Sequence, residues 1–188
     1  MKNINFASSG WENDLEYTYS YRYNQRPVFV QKDGFIESST DSTMPDGYDY
    51  ITLMFKEKFK PGTKLTTKCW FHKYGAPIIM IANKIDFENG DAPLLIDYIE
   101  VVIWEKGINV WKHDVIDSKD TWFLMDSIEF KVENAAPVTF SAQIYAGKLV
   151  ASCGSNVLEI ETNLISDEVY MGIQACEGIN RFYNVCVE

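Results

Sequence analysis

Basic charge, helical periodicity, paired cysteines and long apolar runs are all scarce in this chain of 188 residues. No stretch approaches the ~20 consecutive apolar residues that span a bilayer, which excludes a helical membrane anchor. Lys and Arg total 17 against 27 acidic residues, a formal net charge of −10. That surface repels a phosphate backbone, and no basic run relieves it, so nucleic acid is not an expected partner. The four cysteines (Cys69, Cys153, Cys176 and Cys186) form no CxxC pair, nor a zinc spacing with the only histidines, His72 and His113. Buried free thiols in a cytosolic protein are therefore expected rather than disulfides. Met1 to Phe6 lack the apolar stretch of a secretory signal, in keeping with a cytoplasmic location, although a processed secreted form would look the same. P-loop, GxGxxG, HExxH and GxSxG motifs are missing too, and with them the chemistries they carry.

What the chain does have is aromatic residues: eleven Tyr, eleven Phe and five Trp. Flat rings favour a pleated surface, and apolar/polar alternation runs through most of the sequence. Glu16 to Tyr23 puts Tyr17, Tyr19, Tyr21 and Tyr23 on one face. Further strands are predicted at Pro27–Gln31, Phe35–Glu37, Tyr48–Phe55 and Thr63–Phe71. Pro77 to Ala82 is a short apolar run suited to a strand buried on both faces. Asn83 to Pro93, rich in Asp, Asn and Gly, reads as a loop. Then follow Leu94–Glu105, Ile108–Val115, Ser127–Glu133, Val138–Tyr145, Lys148–Ser152, Val157–Thr162, Val169–Cys176 and Arg181–Val187, with a short helix expected near Asn163 to Asp167. So many short strands without repeats or linkers predict one all-β domain over residues 1–188, a sandwich or barrel, with a two-sheet antiparallel sandwich preferred.

The hairpin from Tyr98 to His113 holds the most informative chemistry. Ile99, Val101 and Ile103 form a β-branched core stripe, which leaves Tyr98, Glu100, Val102 and Trp104 on the other, less buried face. With Lys106-Gly107 as a two-residue turn, Trp104 pairs with Asn109, Val102 with Trp111, and Glu100 with His113. Indole faces stack on the C–H face of a pyranose, and Asn, Glu and His supply donors and acceptors for hydroxyl groups. The bland alternative packs both tryptophans under a loop, with Glu100 and His113 as a cross-strand pair worth under ~1 kcal/mol.

The segments Glu100-Val-Val-Ile-Trp104-Glu-Lys-Gly107-Ile-Asn109-Val-Trp111, Phe140-Ser-Ala-Gln-Ile-Tyr-Ala-Gly-Lys-Leu149-Val and Val169-Tyr-Met-Gly172-Ile-Gln-Ala-Cys-Glu177-Gly178-Ile-Asn-Arg181-Phe182-Tyr183 resemble the concanavalin A-like lectin/glucanase superfamily. The resemblance implies a jelly roll with ligands on its concave face. It does not choose among lectin, carbohydrate-binding module, hydrolase and lyase.

Three functions follow as expectations. The first is a glycan-binding domain for oligo- or polysaccharide that uses Tyr98, Trp104, Asn109, Trp111, Glu177 and Arg181. The second is a carbohydrate-active enzyme, hydrolase or lyase, with Glu100 and His113 as its acid/base pair. Family-16-type glucanases, by the resemblance, carry Glu-x-Asp-x-(x-)Glu on one strand. Here the odd separations of Asp97, Glu100 and Glu105 send Glu100 to one face and the other two acids to the opposite one. A lyase would draw on Arg181, Gln174, His113 and a tyrosine, but no compact motif joins them. The third is a protein interaction module. No metal site or cofactor is expected, with calcium at the acidic loop Asp86-Phe-Glu88-Asn89-Gly90-Asp91 as the one alternative, and Arg181 is a candidate ion-pair partner for Glu177.

Overall fold

In the computed structural model the described residues are 1–20, 27–39, 50–72, 74–90, 92–133, 135–165 and 167–188. Along the chain they form β1 (Lys2–Asn5), β2 (Leu15–Ser20), β3 (Val30–Lys32), β4 (Phe35–Ser39), β5 (Tyr50–Phe59), β6 (Lys64–His72), β7 (Ala76–Asp86) and β8 (Leu94–Trp104). They continue with β9 (Gly107–Ile116), β10 (Lys119–Glu129), β11 (Val138–Tyr145), β12 (Lys148–Cys153), β13 (Asn156–Glu161), β14 (Val169–Cys176) and β15 (Ile179–Val187). One 3₁₀ turn, Trp11–Asn13, interrupts the strands. No helix among the described residues is long and apolar enough to cross a membrane.

Two sheets face each other. The first runs β13-β12-β11-β6-β15-β4-β3, with β1 also paired to β15. The second follows the pairings β10-β9-β8-β7-β14-β5-β2. These contacts are antiparallel except where Tyr19 and Ser20 run parallel to Leu94 and Leu95. The architecture is the expected jelly-roll sandwich. Its interior is set by simple alternation: Leu65, Thr67, Cys69 and Phe71 point inward on β6, as do Leu149, Ala151 and Cys153 on β12. Across from them lie Leu53, Phe55, Ile79, Ile81, Ile99, Val101 and Ile103.

A second apolar cluster covers the outer face of the second sheet: Met54, Ile78, Met80, Ala82, Ile85, Leu95, Tyr98 and Cys176. It explains the apolar run in β7, where Ile78 to Ala82 are buried on both faces because the strand sits between β8 and β14.

Several boundaries move. The predicted loop at Asn83 is strand as far as Asp86, because bulges at Ala82/Lys84 and Lys84/Ile85 accommodate its polar residues. Asn83 donates to Asp97 and to the Leu164 carbonyl there. The strand predicted at Ser127–Glu133 starts earlier, as β10, whose apolar run Trp122-Phe123-Leu124 hides its alternation on an exposed edge. The described residues between Asn163 and Asp167 form bends instead of a helix. Tyr21 and Tyr23 of the tyrosine row lie outside the described residues, while Tyr17 packs edge-on against Trp11 at the main core.

Candidate functional site

The β8–β9 hairpin turns at Glu105-Lys106, one residue earlier than predicted, so Trp104 pairs with Gly107, Val102 with Asn109, Glu100 with Trp111 and Tyr98 with His113. The cause is glycine's freedom at position 107. Gly107 takes φ +135°, and a Cβ there would lie 2.0 Å from the Ile128 carbonyl oxygen, so only glycine lets β9 begin against β10 at this point. Each partner moves by two residues, which preserves the face. Tyr98, Glu100, Trp104, Asn109, Trp111 and His113 share the outer side of the second sheet, while Asp97 points away to pair with Lys112 at 2.8 Å.

That face is more enclosed than its polarity suggests. Tyr98, Glu100 and His113 are buried, whereas Trp104, Asn109 and Trp111 are half-buried. Register places Trp104 and Trp111 two levels apart along the hairpin, with Asn109 at the level between them. On the neighbouring β10, Trp122 stands beside His113 and Leu124 beside Trp111. Trp122 is 49% exposed, so the strip from β8 to β10 is open where the β7–β14 part is closed.

Beneath the strip runs a buried polar row. Thr52 Oγ1 donates to Gln174 Oε1, and Gln174 Nε2 donates to Glu100 Oε1 at 2.7 Å. The other Glu100 oxygen lies 3.2 Å from His113 Nε2, and Nδ1 of the same ring lies 3.5 Å from Asp120 Oδ1. The Asp120 contact is an ion pair without hydrogen-bond geometry, since Nδ1 and both Asp120 oxygens find no hydrogen-bond partner among the described residues. The imidazole is stacked on Tyr98, with centroids 4.6 Å apart, and on Trp122 at 6.4 Å. Burial works against a charged imidazolium, but Asp120 and Glu100 together outweigh it and push the pKa up to about 9. His113 is therefore protonated at neutral pH, and one ring occupies both carboxylates. A cation held this way is a poor general base.

Glu177 and Arg181 do not join this strip. Glu177 sits in the β14–β15 turn with φ +51°, its carboxyl pushed up by burial, and its backbone carbonyl accepts from Asn180 Nδ2 at 2.7 Å. Arg181 pairs with Glu37 at 2.6 Å instead of with Glu177. The reason is alternation: Asn180 and Phe182 are fully buried, so Arg181 projects from the outer face of the first sheet. In the acidic loop, Asp86 accepts from the Glu88 amide and Asn89 donates to the Ala92 carbonyl, while Asp91 lies outside the described residues. No group of three metal-ligating side chains occurs among the described residues. A surface depression of about 630 Å³, lined by Lys58, Lys60, Pro61, Asp167 and Glu168, has no aromatic wall.

Asp120, Trp122 and Thr52 went unnoticed in the sequence. Alternation over Lys119 to Leu124 was the available signal for the first two, since it puts Asp120, Trp122 and Leu124 on one face.

No protein-family model matches the chain, and neither does any curated protein sequence. Solved structures do. LamA from Zobellia galactanivorans, in complex with laminaritriose and laminaritetraose, is 11% identical with a TM-score of 0.64, covering 100% of this chain and 97% of its own. A glycoside hydrolase family 16 endo-glucanase from Bacteroides ovatus is 9% identical with a TM-score of 0.63, covering 100% and 99%. The carbohydrate-binding module CBM66 from Bacillus subtilis is 8% identical with a TM-score of 0.57, covering 85% and 90%. At such identities the likeness shows the fold alone.

Proposed function

We propose that this chain, which has the concanavalin A-like jelly-roll fold, binds oligo- or polysaccharide through the β8–β10 strip of its second sheet. Trp104, Trp111 and Trp122 supply apolar platforms for sugar rings, and Asn109 supplies hydroxyl recognition between the first two. The observation that carries this reading is the pairing of accessible indoles with a buried, rigid support. Trp122 is offset-stacked on His113, a buried ring that pairs with Glu100 at 3.2 Å and Asp120 at 3.5 Å, so the indole has a packed support before any ligand arrives. Preorganised aromatic surface on this face suits a sugar better than a mobile side chain would. The structural neighbours include a laminari-oligosaccharide complex and a carbohydrate-binding module, which favours the same ligand class.

Binding is preferred to hydrolysis because Glu100 and Asp120 are both buried and both face one imidazolium, leaving neither arranged to protonate a glycosidic oxygen. A hydrolase reading retains one point in its favour, that two carboxylates do share this face. Incubation with laminari-oligosaccharides and mixed-linkage glucan, followed by product analysis, decides between them. Intact oligosaccharide together with retention in affinity electrophoresis supports binding. Cleavage that disappears in Glu100→Gln would replace this reading with catalysis.

A further inference from the structure

β10 ends the second sheet. It pairs with β9 on one side, and among the described residues no strand pairs with it on the other. β13, the edge of the first sheet, passes near β10 but forms no ladder with it. At 11 residues β10 is long for an edge strand, and it contains no proline. A long apolar edge of this kind is a template for a further strand. The side chains at its middle are exposed in the same sense. Phe123 is 54% exposed and Leu124 45%, and as chain neighbours they project from opposite faces of the sheet. A ligand lying on one face covers only one of them, whereas a strand added in the plane of the sheet covers both.

The complement of this edge is a second copy of it. β10 is bulged between Leu124 and Asp126, so Lys119, Thr121 and Phe123 share the inner side with Asp126 and Ile128. Antiparallel pairing of two copies about a two-fold axis at Phe123 brings the two Phe123 rings together and sets Trp122 opposite Leu124. Lys119 then lies diagonal to Asp126 of the second copy, both exposed, at about 7–8 Å between their backbones, a distance a lysine spans. Moving the axis to Leu124 would set Asp120 against Glu129, acid against acid. The charges therefore select the register that also buries Phe123. Each copy uses its edge once, so the pairing closes at two copies.

We infer that β10 is a dimer interface, where two copies of this chain join their second sheets edge to edge. The two-fold axis stands perpendicular to the joined sheet, so the β8–β10 strips of both copies open on the same side. Dimerisation does not rest on the glycan reading. The test is sedimentation velocity of the whole protein over a concentration series, with hydrogen exchange at its two ends. A monomer–dimer equilibrium is expected, and the amides of β10 should exchange more slowly at the dimer end. Phe123→Lys should weaken the dimer by about a hundredfold or more. Phe123 is half exposed and lies on the side away from the strip, so this variant should fold and bind neutral oligosaccharide as the wild type does. Lys119→Glu should weaken the dimer about fivefold, and adding Asp126→Lys should restore it. The inference is overturned if the wild type stays monomeric at every concentration, or if Phe123→Lys dimerises as tightly. A dimer that adds no protection along β10 overturns it as well.

Discussion

His113 Nε2 and Glu100 Oε2 stand 3.2 Å apart although the two residues are not direct cross-strand partners. The contact is diagonal across β8 and β9, and Tyr98, the true partner of His113, stacks on its ring. Glu100 is thereby shared between Gln174 on one side and the imidazole on the other.

Because this pair and Asp120 hold the His113 pKa near 9, above its ordinary value of 6.5, the folded protein binds a proton that the unfolded chain has released. The stabilisation is complete below pH 6.5 and is lost as pH rises through 9. It amounts to on the order of 3 kcal/mol. Urea unfolding at pH 6 and pH 9.5 should show that fall, and it should shrink markedly in His113→Asn. NMR titration of the imidazole C–H resonances should give a midpoint near 9; a midpoint at or below 6.5 rules the arrangement out.

Glu100→Gln leaves a buried imidazolium paired with Asp120 alone. Loss of one partner from a buried ion pair costs about 3 kcal/mol or more, and the His113 pKa should drop. Asp120→Asn should also lower it, since both carboxylates raise it. Thermal unfolding with the same NMR titration reads both effects.

Gly107→Ala should destabilise by roughly 2–4 kcal/mol, because the new methyl meets the Ile128 carbonyl 2.0 Å away and the backbone must hold φ +135°. Gly154→Ala is the control. Its φ is +60° but nothing lies within 4 Å, so the cost should be about 1 kcal/mol. Equal losses in denaturant melts would mean that the close approach of β9 and β10 at this turn is not a constraint.

The sandwich was legible in the sequence because alternation on strands such as β6 and β12 reflects burial on one face only. The face shared by Glu100, Trp104, Trp111 and His113 was legible for the same reason, and a turn displaced by one residue left it intact. Burial was not legible. Nothing local to Tyr98 or Glu100 signals that Met54, Ile78 and Met80 from other strands build a second apolar layer around them. β10 was obscured by its position at an edge, where Trp122, Phe123 and Leu124 are exposed on both faces and break the polar/apolar rhythm. Arg181 was assigned the wrong partner because Glu177 is close in sequence, whereas Glu37 reaches it only once β4 and β15 pair.

Glycan binding by the β8–β10 strip is tested most directly with Trp122→Ala. Its side chain is half exposed, so the variant should fold, and His113 remains held by its two carboxylates. Laminari-oligosaccharide affinity should fall about tenfold, ~1.4 kcal/mol, with Trp111→Ala giving a loss of similar size. Wild-type protein that binds no neutral glycan on an array, or binding that both substitutions leave unchanged, would contradict the assignment.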